Sequence, residues 1–285
     1  MNPYRTLVAA YASGLHSGKS YPLGGFAPIH HPPVARDAPS VLIFSPHPDD
    51  ECLIGALPLR LRREAGWRVI NVAVTQGSAK ARQAQRLEEL HGAVAYLGFE
   101  LLQTAPNGLE RVLPRYRSED PSHWQGMVLR IAHVLESIQA RAIFFPHEHD
   151  SDDTHMGVHW LVMDALAHLG DRLATALVET EYWGPLRNPN LMVEVCEQTL
   201  TEQITATSFH AGEVRRNPYH LLLPAWMQDN VRRGSELVGG KGSAAPDFDF
   251  ATLYRVRAWR EGAVTEAIEG HRFLGRVESP ATLFA

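Results

Sequence analysis

Val41-Leu42-Ile43-Phe44-Ser45 is an unbroken apolar run that ends at a proline, with the length and character of a strand buried on both faces. Arg68 to Thr75 predicts a second such strand, Ala142 to Phe145 another, and Glu100 to Gln103 a shorter one. Between them the apolar period becomes helical. Cys52 to Ala65 is amphipathic and closed by Gly66, with Pro58 marking a kink or a late start; Ser78 to Leu97 ends at Gly98; Gln125 to Gln139 and His155 to Leu169 follow, the latter ending at Gly170. The first 40 residues predict a short helix and then an irregular arm, because Tyr21 to Pro39 is rich in Gly, Pro and His. Beyond residue 170 the signal is weaker: strands at Leu191 to Val195 and Leu253 to Val256, helices at Gln198 to Phe209 and Ala225 to Val238, and a Gly-rich loop from Val238 to Pro246. Strands alternating with helices predict an α/β fold, a Rossmann-like and mostly parallel sheet with helices on both faces and a C-terminal elaboration. No linker, composition break or repeat divides the chain, so one domain is expected rather than two.

Composition narrows the class. Of 285 residues, 45% are hydrophobic and 21% charged, which suits a soluble chain with a large core. A net charge of −5 argues against a nucleic-acid binder, which needs a clustered positive surface. Two cysteines, Cys52 and Cys196, exclude a disulfide framework and fit a reducing compartment. No segment has the pattern of a signal peptide or reaches 18 uninterrupted apolar residues, so a cytoplasmic protein without a membrane span is expected. The 15 histidines are the feature that points to chemistry.

In a parallel sheet, ligands bind beyond the carboxyl ends of the strands. The first strand ends in Ser45-Pro46-His47-Pro48-Asp49-Asp50-Glu51, four metal-binding or proton-transfer groups in five residues. The blander reading, acidic residues complementing a helix N-terminus, leaves the histidine and the flanking prolines unexplained. The later strand ends in Pro146-His147-Glu148-His149-Asp150-Ser151-Asp152-Asp153-Thr154-His155, with His159 one helical turn on. Two such clusters, each at a strand's carboxyl end, predict a metal site. A catalytic zinc ion typically takes three protein ligands and leaves a position for water. His47, Asp50 and His155 would fill that set, and Asp49 would remain as the base that takes the water's proton.

SPHPDDE after a buried strand, with a distant Asp-rich cluster ending in His, resembles the PIG-L or LmbE-like deacetylases. The resemblance extends to Thr75-Gln76-Gly77 and to a following helix with Arg82, Arg86, Glu88, Glu89, Leu97 and Gly98; it runs from about Val41 to Leu169 and continues loosely through Glu181-Tyr182-Trp183 and Asn188-Pro189-Asn190. It implies a single deacetylase domain over 1–285, with an arm at 1–40, a core at 41–170 and an elaboration at 171–285. It also implies a zinc ion, with Fe2+ or another divalent metal as alternative, and a small-molecule N-acetylated substrate such as an amino sugar or glycoconjugate. The family's phosphatidylinositol-glycan, mycothiol and bacillithiol enzymes act on substrates of that kind. In the family's motif the first His and second Asp hold the metal and the first Asp is the base, here His47, Asp50 and Asp49; the last His of the second motif, here His155, is the third ligand. The family's second motif commonly reads His-Pro-Asp-His, but the three positions before His155 are Asp152, Asp153 and Thr154. The histidine that would assist the leaving group is therefore replaced by Asp152. His210, His149 and His159 are the candidate substitutes; Asp152 is expected to orient or charge-balance a histidine ligand, and His159 to stand behind the ligands or face the substrate.

Arg82 and Arg86 read as phosphate or sugar contacts, or simply as solvated helix residues. The Gly239 to Gly242 loop reads as a lid or a plain turn, and Cys52 as core. Ser45 lies outside a Gly-x-Ser-x-Gly elbow, which disfavours a serine hydrolase. Alternatives to the amino-sugar deacetylase are a metal-dependent amidase of another small molecule, such as a thiol conjugate, and a non-catalytic metal-binding relic of the scaffold. Oligomeric state is not encoded in any pattern seen here.

Overall fold

The computed structural model describes residues 2–268 and 270–284. Its strands are β1 (Ser40–Ser45), β2 (Arg68–Ala73), β3 (Glu100–Gln103), β4 (Ala142–Pro146), β5 (Thr175–Thr180), β6 (Leu191–Val195), β7 (Phe250–Arg260), β8 (Ala263–Glu266) and β9 (Arg272–Leu274). The helices are α1 (Tyr4–Gly18), α2 (Asp50–Leu53), α3 (Ala56–Glu64), α4 (Gln83–Leu97), α5 (Tyr116–Glu119), α6 (Pro121–Ile138), α7 (Asp153–Leu169), α8 (Glu197–Ser208), α9 (Ala211–Arg216) and α10 (Leu223–Leu237). The strands form one sheet in the order β3-β2-β1-β4-β5-β7-β6-β9, with β8 paired to β7. From β3 to β5 every pairing is parallel; β7 then runs antiparallel to both β5 and β6. The fold class read from the sequence holds: a mostly parallel α/β sheet with helices on both faces.

β1 lies at the middle of the parallel part, and all six of its residues are buried. Val41 and Ile43 pack into one layer with Leu57, Leu59 and Leu61 of α3 and Leu90 of α4. Leu42 packs into the other with Trp124 and Ile131 of α6 and Leu161 of α7. Each such side chain contributes roughly 1.5–3 kcal/mol by leaving water, and this two-sided burial fixes where the Ser45 end emerges.

The helix expected over Cys52 to Ala65 is in fact two. It breaks at Gly55, whose φ of +88° is left-handed; an added Cβ there would meet the Tyr254 hydroxyl at 2.4 Å. That hydroxyl donates to the Ile54 carbonyl (2.9 Å) and accepts from the Leu57 N–H (3.2 Å), so a β7 residue pins the break. Pro58 falls in the first turn of α3, where its missing N–H costs nothing. α4 begins at Gln83, five residues later than expected, after a 3-10 turn at Lys80–Arg82. β5 has no counterpart in the sequence reading, and β7 is 11 residues where four were expected. Among the described residues no helix is long and apolar enough to cross a membrane.

Candidate metal centre

The turn after β1 is held from three sides. The Thr75 hydroxyl donates to the Pro46 carbonyl (2.7 Å) and accepts the Gly77 N–H (3.1 Å), and Arg86 donates to the Pro48 carbonyl (2.9 Å). The Thr-x-Gly and Arg positions are thus a clamp on the turn that carries His47 to Asp50. Within this turn Asp49 has φ +117°, a strained conformation for a residue with a Cβ. Its N–H is taken by Glu51 Oε2 (3.0 Å), and Glu51 Oε1 in turn accepts from His210 Nε2 (2.7 Å) and the Cys52 thiol (3.1 Å). Glu51 and His210 are fully buried, so this pair supports the backbone of Asp49 from behind.

The N-terminus of α7 brings His155 to the same point. Asp152 caps that helix, accepting the N–H groups of Thr154 (2.7 Å) and His155 (3.2 Å). His47 Nδ1 and His155 Nε2 lie 3.3 Å apart, His155 Nε2 and Asp50 Oδ2 3.3 Å, and His47 Nδ1 and Asp50 Oδ2 3.7 Å. Ligands ~2.0–2.2 Å from one ion in tetrahedral array stand about 3.3–3.6 Å from each other, so the three atoms fit corners of such a site. Asp152 also brings a carboxylate oxygen within 4.8 Å of both histidine nitrogens. Asp152 Oδ1 is committed to the helix cap and Asp50 Oδ2 also accepts the His47 N–H (2.8 Å), but the distances of 3.3 and 3.7 Å to the two histidine nitrogens make Asp50 the better-placed third corner. The cluster Glu51, Cys52 and His210 also gathers ligand-type atoms. Its 2.7 Å Glu51–His210 contact is a hydrogen bond, shorter than two ligands of one ion would leave.

The field at the triad suits a cation. Burial would raise Asp50, but the charges and hydrogen bonds of His155, then of His47, hold it below the carboxylate range. Burial would lower His155; Asp50 first, then Asp150 and Asp152, outweigh it and raise the imidazole to about 9. Asp150 Oδ1 faces His155 Nδ1 at 3.7 Å, and that buried Nδ1 has no hydrogen-bond partner. Asp150, not Asp152 or the exposed Asp153, is therefore the carboxylate behind this histidine. Burial, followed by the charge of Asp50, pushes Asp49 up to about 6, against the pull of His210, Tyr219 and Arg86. The Tyr219 hydroxyl donates to Asp49 Oδ2 at 2.5 Å, a partner that no sequence pattern indicated.

The other candidates lie elsewhere. His149 is on the surface beside Glu148, and His210 is sealed behind Glu51. Arg82 pairs with Glu213 of α9, and Arg86 is spent on the turn, so neither reads as a ligand contact. The cleft beside His47, of about 310 Å3, is instead lined by Thr75, Ser78, Lys80, Gln83, Glu110 and Arg111. Its far wall comes close because Gly157 of α7 lets the Val112 carbonyl approach; a Cβ there would sit 2.1 Å from that oxygen.

His159 is buried between Phe145 and Trp160 and donates from Nδ1 to the Pro146 carbonyl (2.9 Å), away from the triad. Burial lowers it to about 4, with Arg257 adding to the effect and the Pro146 bond opposing it. An unfolded histidine titrates near 6.5, so between about 6.5 and 4 the unfolded chain binds the extra proton. This contribution to stability is complete above that window and lost as pH falls through it, roughly 3 kcal/mol in all. His159→Gln is expected to lose less stability than the parent between pH 7 and pH 4.5 in denaturant titrations. Parallel losses in the two proteins would show His159 already charged in the fold.

The doubly wound sheet thus gathers two histidines and a carboxylate at the ends of β1 and β4, beside a buried second carboxylate. Residues 42–166 match the model of the PIG-L family, described as GlcNAc-PI de-N-acetylase, so this stretch of the chain is similar to that family. The fold is shared with N,N'-diacetylchitobiose deacetylase from Pyrococcus horikoshii (TM-score 0.57, 14% identity, covering 89% of this chain and 92% of that one). It is shared too with GalB, the 4-carboxy-2-hydroxymuconate hydratase from Pseudomonas putida KT2440 (0.56, 16%, 76% and 95%). A third is the zinc-inhibited form of the teicoplanin deacetylase Orf2 (0.54, 14%, 77% and 97%). No match was found among curated protein sequences. The family match supports an enzyme that hydrolyses amides.

Proposed function

We propose that this protein is a metal-dependent N-deacylase that removes an acetyl or other acyl group from an amino sugar or a similar polar amine. The observation that carries the reading is the convergence of His47 Nδ1, Asp50 Oδ2 and His155 Nε2 within 3.7 Å of one another beside Asp49. A divalent ion at those atoms, zinc in the first instance, supplies Lewis acidity and a water of lowered pKa. Asp49 takes the water's proton. Tyr219 holds one of its oxygens, which leaves the other to act as base. None of the three substitute histidines reaches the cleft, so Asp49 is also the group that returns the proton to the departing amine. A carboxyl lifted to about 6 by burial suits both roles. Two of the three structural neighbours described above are named as deacetylases and one as a hydratase, so the fold by itself does not choose the reaction. The family match favours the amide.

The test is release of free amine from N-acyl glucosamines and their conjugates by zinc-loaded protein, with chelator-treated protein as control. Turnover that vanishes with chelation and returns with metal is expected. A protein that binds zinc stoichiometrically yet cleaves no amide, while hydrating an unsaturated acid, would replace this reading with the hydratase one.

A further inference from the structure

Besides the cleft at His47, the centre borders an apolar pocket of about 160 Å3 walled by Leu53, Tyr182, Trp183, Tyr219, Leu223 and Trp226. Two residues of its inner wall, Tyr219 and Tyr182, touch side chains of the centre. Tyr219 gives its hydroxyl to Asp49 and its ring to the pocket. The Tyr182 ring meets the His155 imidazole edge-on, centroids 4.9 Å apart. Leu53 lies three residues after Asp50 on α2. At the mouth, Trp183 packs edge-on against Tyr219 at 5.7 Å and is still 50% exposed. A half-exposed tryptophan is costly in water and gains when an apolar group covers it.

The pocket is larger than an acetyl methyl requires. A water's share of the liquid is about 30 Å3, and a methylene is of similar size, so the volume suits roughly five carbons or an arene. The cleft on the His47 side is mixed, with Ser78, Lys80, Gln83 and Glu110 offering hydrogen bonds and charge beside Leu109, Val112 and Leu113. His47 of the triad lines the cleft, and the apolar pocket adjoins the centre through Tyr182 and Tyr219, an arrangement that sorts the halves of an amide: polar amine toward Lys80, apolar acyl toward Trp226.

We infer that the apolar pocket is the acyl subsite, and that the preferred substrate is an amide of a hydrophobic carboxylic acid, alkyl or aryl, on a polar amine. This rests on the N-deacylase reading above. Water's oxygen bonds to the acyl carbon, the C–N bond breaks, and the proton held by Asp49 goes to the leaving nitrogen, giving a carboxylic acid and an amine that ionise in solution.

The test uses zinc-loaded protein and N-acetyl, N-butanoyl, N-hexanoyl, N-octanoyl and N-benzoyl glucosamine. kcat/KM is expected to rise about three- to fourfold per buried methylene up to the hexanoyl compound, with the benzoyl compound well above the acetyl one. Octanoate, but not acetate, is expected to shift the tryptophan fluorescence of the protein with and without zinc. In Trp226→Ala, and in the more exposed Trp183→Ala should the first fail to fold, the hexanoyl-to-acetyl ratio should collapse and the octanoate signal weaken. A flat or falling series in which the acetyl compound is still hydrolysed, with no octanoate signal, overturns the acyl subsite alone. Hydrolysis of none of the five, with no octanoate signal, overturns the N-deacylase reading and the subsite with it.

Discussion

Asp49→Asn should retain its metal and lose about 10²–10⁴-fold in kcat, the usual contribution of a positioned general base. The substitution removes one function and little else. Asn has the size of Asp, and it is among the few residues that tolerate positive φ, so the +117° backbone at this position gains no new strain. The Glu51 bond goes to the main-chain N–H and is indifferent to the side chain, and the amide oxygen can still accept from Tyr219. KM should change little, because the proton is transferred only on the way to the transition state. Stability should rise or hold, since the variant removes a buried carboxylate that Asp50 repels. Metal content by elemental analysis and kcat on one preparation decide the matter. A kcat within threefold of the parent, at full metal content, would make Asp49 a structural residue and require another base.

The part of this arrangement visible in the sequence is the part encoded locally. Apolar runs at Val41 to Phe44 and Ala142 to Phe145 place two strand ends, and the titratable residues follow directly in the chain. β5 escaped because its run is short and bounded by Thr175 and by Glu179, whose buried carboxylate is paired with Arg257 of β7 at 2.9 Å. That partner lies 78 positions away, and no local pattern marks it. Arg82 has the same history in reverse: it looks like a free cation in sequence until α9 brings Glu213 to it. Tyr219 had no signal at all, since one tyrosine in a 3-10 turn becomes informative only when folding sets it on Asp49. Asp150 was one of several acids in a polar loop, and only the direction of the His155 ring singles it out. The change from histidine to aspartate at position 152 was legible as a departure, but its use as the cap of α7 needed the backbone.

Zinc binding should respond to the two candidate carboxylates in a fixed order: Asp50→Asn far worse than Asp152→Asn. Asp50 Oδ2 is 3.3 Å from His155 Nε2 and 3.7 Å from His47 Nδ1, at the spacing one ion imposes. Asp152 spends one oxygen on two helix N–H groups and is less buried than Asp50, so its charge supports the site without completing it. Asn is as good an N-cap as Asp, so Asp152→Asn keeps α7 intact and tests charge alone. The expected losses of affinity are about 10–100-fold for Asp152→Asn, typical of a residue behind the ligands, and well beyond that range for Asp50→Asn and His155→Ala. Competition with a chelator of known affinity measures them. Thermal melting gives a second readout, because an ion present at 100 times its Kd stabilises the fold by about 2.7 kcal/mol. The parent and Asp152→Asn should gain Tm with zinc, whereas Asp50→Asn should gain none. The opposite order would hand the third corner to Asp152. Asp50 would then be free, and the pair Asp49–Asp50 would have to be reread as two carboxylates sharing one proton, with the base no longer assignable to Asp49 alone.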